Sequence, residues 1–190
     1  FRVPVAGITM KMNPKSSWCF WSEPEPGLGG RSIEVPRGKG LGGSSLINGG
    51  VYNRGNPVDF DHWAEMGSPG WDFASVLPHF RRVENHWAGE TDFHGASGEI
   101  SIRKPQLRNP FTDRALQAAR EMGFSITDDI AGVDPEGFHI PDFNVDDRGR
   151  RHSTVAAFLD PIRARSTLNI QTGAQVSRIV IDKGRAVAVE

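Results

Sequence analysis

The sequence predicts a mixed fold, between α/β and α+β, on three observations. Short runs such as Ser32-Ile-Glu-Val35 and Glu99 to Arg103 alternate apolar and polar residues, as half-buried strands do. Two Asn-Pro pairs, Asn56-Pro57 and Asn109-Pro110, combine a capping side chain with a first helical residue that has no N–H to satisfy. Strands and helices follow one another without strict βαβ alternation, which argues against a simple doubly wound sheet.

Taken in order, Glu23-Pro-Glu-Pro-Gly27 is a turn after the aromatic group Trp18, Phe20 and Trp21. Ser32 to Val35 is the first strand, and a glycine cluster follows. Asn56 opens a short helix through Trp63 and Met66. Asp72 caps a second, with Phe73, Val76, Leu77, Phe80 and Val83 on one face, and Pro78 is expected to kink it or mark its start. The pattern lapses into loop from Asn85 to Gly98. Asn109 opens the clearest helix, with Phe111, Ala115, Leu116, Ala119 and Met122 inward and Gly123 at its stop. Phe138 to Val145 reads as a strand interrupted by Pro141, and Ser153 starts a short helix ending before Pro161. Leu168–Thr172, Gln175–Asp182 and Arg185–Glu190 read as a three-stranded meander.

Composition removes several function classes. The 190 residues carry 22 Lys+Arg against 23 Asp+Glu, a net charge of −1. Such a balance supplies no field for nucleic acid or an anionic membrane. No apolar run reaches the length of a transmembrane helix. The single Cys19 excludes an internal disulfide and a multi-thiolate zinc site, and assigns no compartment. Phe1 is not an initiator methionine, and residues 184–190 stop inside a strand-like alternation. We therefore expect a window of a longer protein.

Gly and Pro together number 35 of 190 residues, and nine glycines fall between Gly27 and Gly50. Gly38, Gly40 and Gly43 satisfy G-x-G-x-x-G, where backbone N–H groups can approach a phosphate closely. The usual dinucleotide fingerprint also needs a second strand ending in an acidic residue about 20 positions on. Here Asn53-Arg-Gly-Asn-Pro57, a turn and helix start, intervenes before Asp59, Asp61 and Glu65. The loop is therefore not a primary βαβ site, although it can still touch a cofactor from another side.

Residues 36–54, with Asp59-Phe-Asp-His-Trp63, Gly70-Trp71 and Val76-Leu-Pro-His-Phe80, resemble the glucose–methanol–choline (GMC) family of FAD-dependent alcohol oxidoreductases. The likeness continues through Glu136-Gly-Phe138, Gly149-Arg-Arg-His-Ser153, Ala157-Phe-Leu-Asp-Pro161 and Val176-Ser-Arg-Ile179. The resemblance implies part of a two-domain architecture, with an FAD-binding Rossmann-like domain and an antiparallel-sheet substrate domain. Residues 1–51 would belong to the flavin domain, 52–90 to lid and linker helices, 91–161 to the substrate domain, and 162–190 to the flavin domain again. It implies that Gly40, Gly42, Gly43 and Ser44 line the pyrophosphate and ribityl region of FAD. Asn48, Gly49, Gly50 and Val51 would pass along the isoalloxazine ring, and the backbone of Val176 would pair with the adenine edge. Leu46, Ile47 and Asn48 stand where some members attach FAD through a histidine, so non-covalent FAD is expected.

The implied activity is oxidation of a small alcohol, with hydride passing to flavin N5 and electrons to an unassigned acceptor. A hydroxynitrile lyase that uses FAD without net redox is the alternative within the fold. The family's main glycine motif and catalytic histidine pair are expected outside residues 1–190, so no catalytic residue is named and the chain alone is expected to be inactive. His62, His79, His86, His94, His139 and His152 are read as surface, helix-face or loop residues, with His152 a cap for the following helix. Asp128, Asp129 and Asp134 read as a solvated loop. Arg148, Arg150, Arg151, Arg163 and Arg165 read as a solvated or ion-pairing basic run. The stretch from Asp142 to Asp146 lacks the glycine and glutamate of a calcium loop and reads as a polar turn. Trp63, Trp71, Phe73 and Phe80 read as core.

Overall fold

The computed structural model describes residues 3–4, 9–11, 13–105, 109–132 and 135–190; the expectation for Asp134 lies outside them. The fold mixes α and β, with eight short strands, paired two by two, and three α-helices among the described residues. Strands β1 (Phe20–Trp21) and β2 (Glu34–Val35) pair antiparallel, so the strand expected from Ser32 is shorter. β3 (Val51–Tyr52) pairs antiparallel with β6 (Asp142–Phe143), while β4 (Glu84–His86) and β5 (Ile100–Ile102) run parallel. A bridge between Arg103 and Phe143 joins β5 to β6, so these four strands form one irregular platform. β4 falls at the edge of the stretch expected to be loop, which the alternation of three residues is too short to reveal.

Helices α1 (Pro57–Glu65) and α2 (Phe73–Val83) start as the caps predict. Asn56 Oδ1 accepts the Val58 N–H at 3.0 Å, and Asp72 Oδ1 accepts that of Ser75 at 2.9 Å. Asp61 of α1 also accepts the Phe73 N–H at 2.9 Å, so the first helix satisfies an orphan donor of the second. Phe60 is the buried centre of their contact, with ring centroids of Trp63, Phe73 and Phe80 within 6.0 Å. Pro78 lies inside α2, which runs on to Val83, so it does not mark the start. α3 (Pro110–Glu121) is capped by Asn109 and stops before Gly123, at φ +84°. Its covered stripe is Thr112, Leu116 and Ala119, rotated from the expected face: Phe111 is 76% exposed, Met122 73%, and Ala115 is exposed too. An i, i+4, i+7 stripe suffices for its shallow contact, and apolar identity alone misplaces the face.

Three other expectations are corrected. Of residues 138–145 only Asp142–Phe143 forms a strand, because Pro141 has no N–H for a ladder. The helix expected from Ser153 is a π turn over Val155–Leu159 that passes into a 3₁₀ turn, Asp160–Ile162, with Pro161 inside it. The expected meander is a hairpin of β7 (Ile179–Asp182) and β8 (Arg185–Val189), turning on Lys183 and Gly184, both at positive φ. Residues 168–172 pair with no described strand.

Candidate functional site

Eight of the nine predicted cofactor residues, Gly40, Gly42, Gly43, Ser44, Asn48, Gly49, Gly50 and Val51, lie on one loop held at three places. At its entrance Ser17 bridges to Gly38, whose N–H donates to Ser44 Oγ at 3.1 Å. A 3₁₀ turn follows at Gly43–Leu46 and drives Leu46 and Ile47 into the core. Ser45 Oγ lies 3.0 Å from Thr154 Oγ1, and Gly42 packs so closely on Val155 that an added Cβ would sit 2.8 Å from its Cγ2. At the exit, Gly50 O accepts the Asn144 N–H at 2.7 Å, and Val51 and Tyr52 enter β3.

The middle of the loop rests on Arg151, a buried residue only 5% exposed. Its Nη1 donates to Asn48 Oδ1 at 2.6 Å and its Nη2 to Asn48 O at 2.7 Å. Asn48 Oδ1 also accepts the Gly50 N–H at 3.1 Å. Outside these anchors the loop is open. Gly40 and Gly49 are exposed, and a Cβ on Gly49 would meet nothing within 4 Å. The N–H groups of Gly40, Leu41, Gly42 and Gly49 donate to no described residue. Clefts of about 410 Å³, beside Gly40, Leu46 and Asp160, and about 180 Å³, beside Ser45, Asn48 and Tyr52, flank it. A surface poor in side chains, carrying N–H donors that no described residue accepts, fits a flat, acceptor-rich cofactor such as FAD. Val176, the ninth predicted residue, is half-exposed before β7, and no hydrogen bond ties it to the loop among the described residues.

Beneath β3 lies a buried ionic network that the sequence does not announce. Glu84 receives bonds from the Tyr52 hydroxyl and the Arg54 guanidinium, and its Oε2 lies 3.2 Å from His94 Nδ1. His94 Nε2 lies 2.8 Å from Asp129 Oδ2, and its ring stacks on His86 with centroids 3.7 Å apart. Burial penalises the Glu84 carboxylate, but the bonds from His94, Arg54 and Tyr52 outweigh it and hold the group down at about 2. Burial likewise opposes the His94 imidazolium, and the bonds to Asp129 and Glu84 overcome it and raise the group to about 9. Burial and the Glu84 carboxylate push the Tyr52 phenol up.

His86, in β4, and His94, in the loop that follows, are therefore buried and not surface groups, and Asp129 is an ion-pair partner rather than a solvated residue. His152 caps no helix: its Nδ1 accepts the Ser101 N–H at 3.1 Å, tying it to β5, and burial lowers its basicity to suit an acceptor. Arg150 pairs with Asp146 and Arg163 with Asp160, as the ion-pairing reading of the basic run requires, but Arg151 turns inward. Nothing local in the sequence marks these buried groups, because their partners lie far along the chain. For Arg151 one signal existed: its place in Gly149-Arg-Arg-His-Ser153, part of the family resemblance. Among the described residues no cluster of His, Cys, Asp and Glu is arranged to hold a metal ion, and no helix is long and apolar enough to cross a membrane.

The chain is 42% identical over 190 residues to an oxygen-dependent choline dehydrogenase of Pectobacterium atrosepticum, covering 99% of the chain and 34% of that protein. To the enzyme of the same name from Pseudomonas savastanoi pv. phaseolicola it is 45% identical, covering 99% of the chain and 34% of the relative. The chain thus spans about a third of the length of these relatives. Pyridoxine 4-oxidase from Mesorbium loti superimposes with a TM-score of 0.86 at 26% identity, over 99% of this chain and 37% of that one. An FAD-dependent oxidoreductase from Chaetomium thermophilum gives 0.85 at 27% identity, over 94% and 33%. The family model described as GMC oxidoreductase, whose members are FAD-dependent enzymes, matches residues 5–190. On sequence and fold together, the chain belongs to the GMC oxidoreductase family.

Proposed function

We propose that the protein containing this chain oxidises the CH–OH group of a small alcohol with non-covalent FAD, and that residues 40–51 form a flavin-contacting loop. One observation carries the reading: Gly49 keeps an open, exposed place that packing among the described residues does not require to be glycine. Its lack of a side chain is then explained by a partner lying against it. In this role Gly40, Gly42, Gly43 and Ser44 border the phosphate and ribityl portion, Asn48 to Val51 follow the ring, and the Val176 backbone meets the adenine. Bound FAD would supply a two-electron acceptor whose N5 takes the hydride from the carbinol carbon. The loop's N–H donors would stabilise negative charge on the cofactor, and the absence of side chains at Gly49 would let the backbone approach closely.

The segments 1–51, 52–90, 91–161 and 162–190 would contribute to a flavin domain, its covering helices, a substrate domain and the flavin domain again. The β3–β6 pairing and the Arg151–Asn48 bonds support interleaving of the first and third. The test is anaerobic addition of primary alcohols, choline included, to the purified full-length flavoprotein. Bleaching of the visible flavin band is expected. Flavin that no alcohol reduces would overturn the redox assignment and favour a non-redox use of FAD.

A further inference from the structure

We infer that Arg151 is a positioning residue that acts through Asn48 to aim the Gly49 N–H out of the protein, toward an acceptor atom of the flavin. The inference rests on the reading of residues 40–51 as a flavin loop. Arg151 lies 103 positions from Asn48, so its contacts are tertiary and not a local turn. Its fork reaches two oxygens of one residue, the Asn48 carbonyl at 2.7 Å and the Asn48 amide oxygen at 2.6 Å. It is anchored further by Ser45 O at 3.3 Å and Pro4 O at 3.1 Å. The guanidinium is planar and always charged, which suits it to this bidentate hold in a way that a lysine is not.

The peptide joining Asn48 and Gly49 is trans, so its carbonyl and its N–H point in opposite directions. Arg151 draws the carbonyl inward onto a buried cation. The Gly49 N–H must then face outward, where Gly49 is exposed and no described residue accepts from it. Bonding of the carbonyl to a cation also polarises the same peptide and strengthens its N–H as a donor. Asn48 Oδ1 meanwhile holds the Gly50 N–H at 3.1 Å, fixing the next peptide as well. One buried side chain thereby sets the first two of the three peptides in the segment proposed to pass along the ring.

The experiment compares full-length wild-type protein, Arg151→Met, Arg151→Lys and Ile102→Ala, the last a core change on β5, outside residues 40–51. The readouts are the FAD dissociation constant and the flavin reduction potential. Arg151→Met should weaken FAD roughly ten- to a hundredfold, the loss expected for charge-assisted bonds. It should also lower the potential, because an aimed donor no longer stabilises the reduced form. Arg151→Lys should recover part of the affinity, and it decides the matter if the Met variant does not fold. Ile102→Ala should lose thermal stability with the potential unchanged. Wild-type affinity and potential in the Arg151 variants, or an equal shift in Ile102→Ala, would overturn the inference alone. Wild-type protein that binds no FAD would overturn it together with the flavin reading.

Discussion

Arg54 and Glu84 form an ion pair wholly inside the protein: their side chains are 1% and 0% exposed, and Arg54 Nε donates to Glu84 Oε1 at 3.0 Å. The pair ties the end of the glycine-rich loop, through Tyr52 and Arg54, to the strand that leaves α2. Removing one partner would strand the other charge without water. Arg54→Met should therefore destabilise the protein by about 3–5 kcal/mol, measured by urea unfolding. A loss below about 1 kcal/mol would mean that Glu84 is hydrated or otherwise satisfied.

The same network sets a pH window. His94 is raised from 6.5 to about 9, so its contribution is complete below pH 6.5 and is lost as the pH rises through 9. Glu84 is lowered from 4.5 to about 2, so its contribution is complete above pH 4.5 and is lost as the pH falls through 2. Stability from these two groups should peak between pH 4.5 and 6.5 and decline on both sides. Melting temperatures across pH should show this, and His94→Gln should flatten the alkaline limb. An alkaline limb unchanged in that variant would remove His94 as its cause.

Two glycines of the loop should respond to alanine to very different extents. Gly42 has φ +91°, and a Cβ there would press on Val155 at 2.8 Å, so Gly42→Ala should cost about 1–3 kcal/mol. Gly49 has room and ordinary backbone, so Gly49→Ala should change stability by less than about 0.5 kcal/mol. Thermal unfolding of flavin-free protein compares them directly. Equal losses would show that the fold itself needs Gly49.

Leu46 and Ile47 are buried, and no histidine stands beside them in the loop. Acid precipitation of the full-length protein should leave its flavin in the supernatant. Colour that stays in the pellet would show a covalent link and contradict non-covalent FAD.

What was legible in the sequence is chemistry that acts over a few residues. Asn56, Asp72 and Asn109 each bond a backbone N–H two or three positions on, so a short window suffices to identify the helix starts. The glycine loop was legible because eight of its proposed contacts are contiguous or nearly so. The buried network was not, because His94 meets Asp129 across 35 positions and Arg54 meets Glu84 across 30. No local pattern separates such charges from solvated ones. The covered face of α3 and the state of residues 168–172 differ from the sequence expectation for a related reason. Apolar periodicity shows that a segment can pack, and only its neighbours decide which face does.

The most direct measurement is the flavin content of full-length protein carrying Gly49→Val, read from its absorbance spectrum beside the wild type. Bulk at Gly49 should leave a folded protein that is mostly without flavin, while the wild type purifies yellow. Wild-type flavin content in the variant would contradict the placement of the cofactor against this loop.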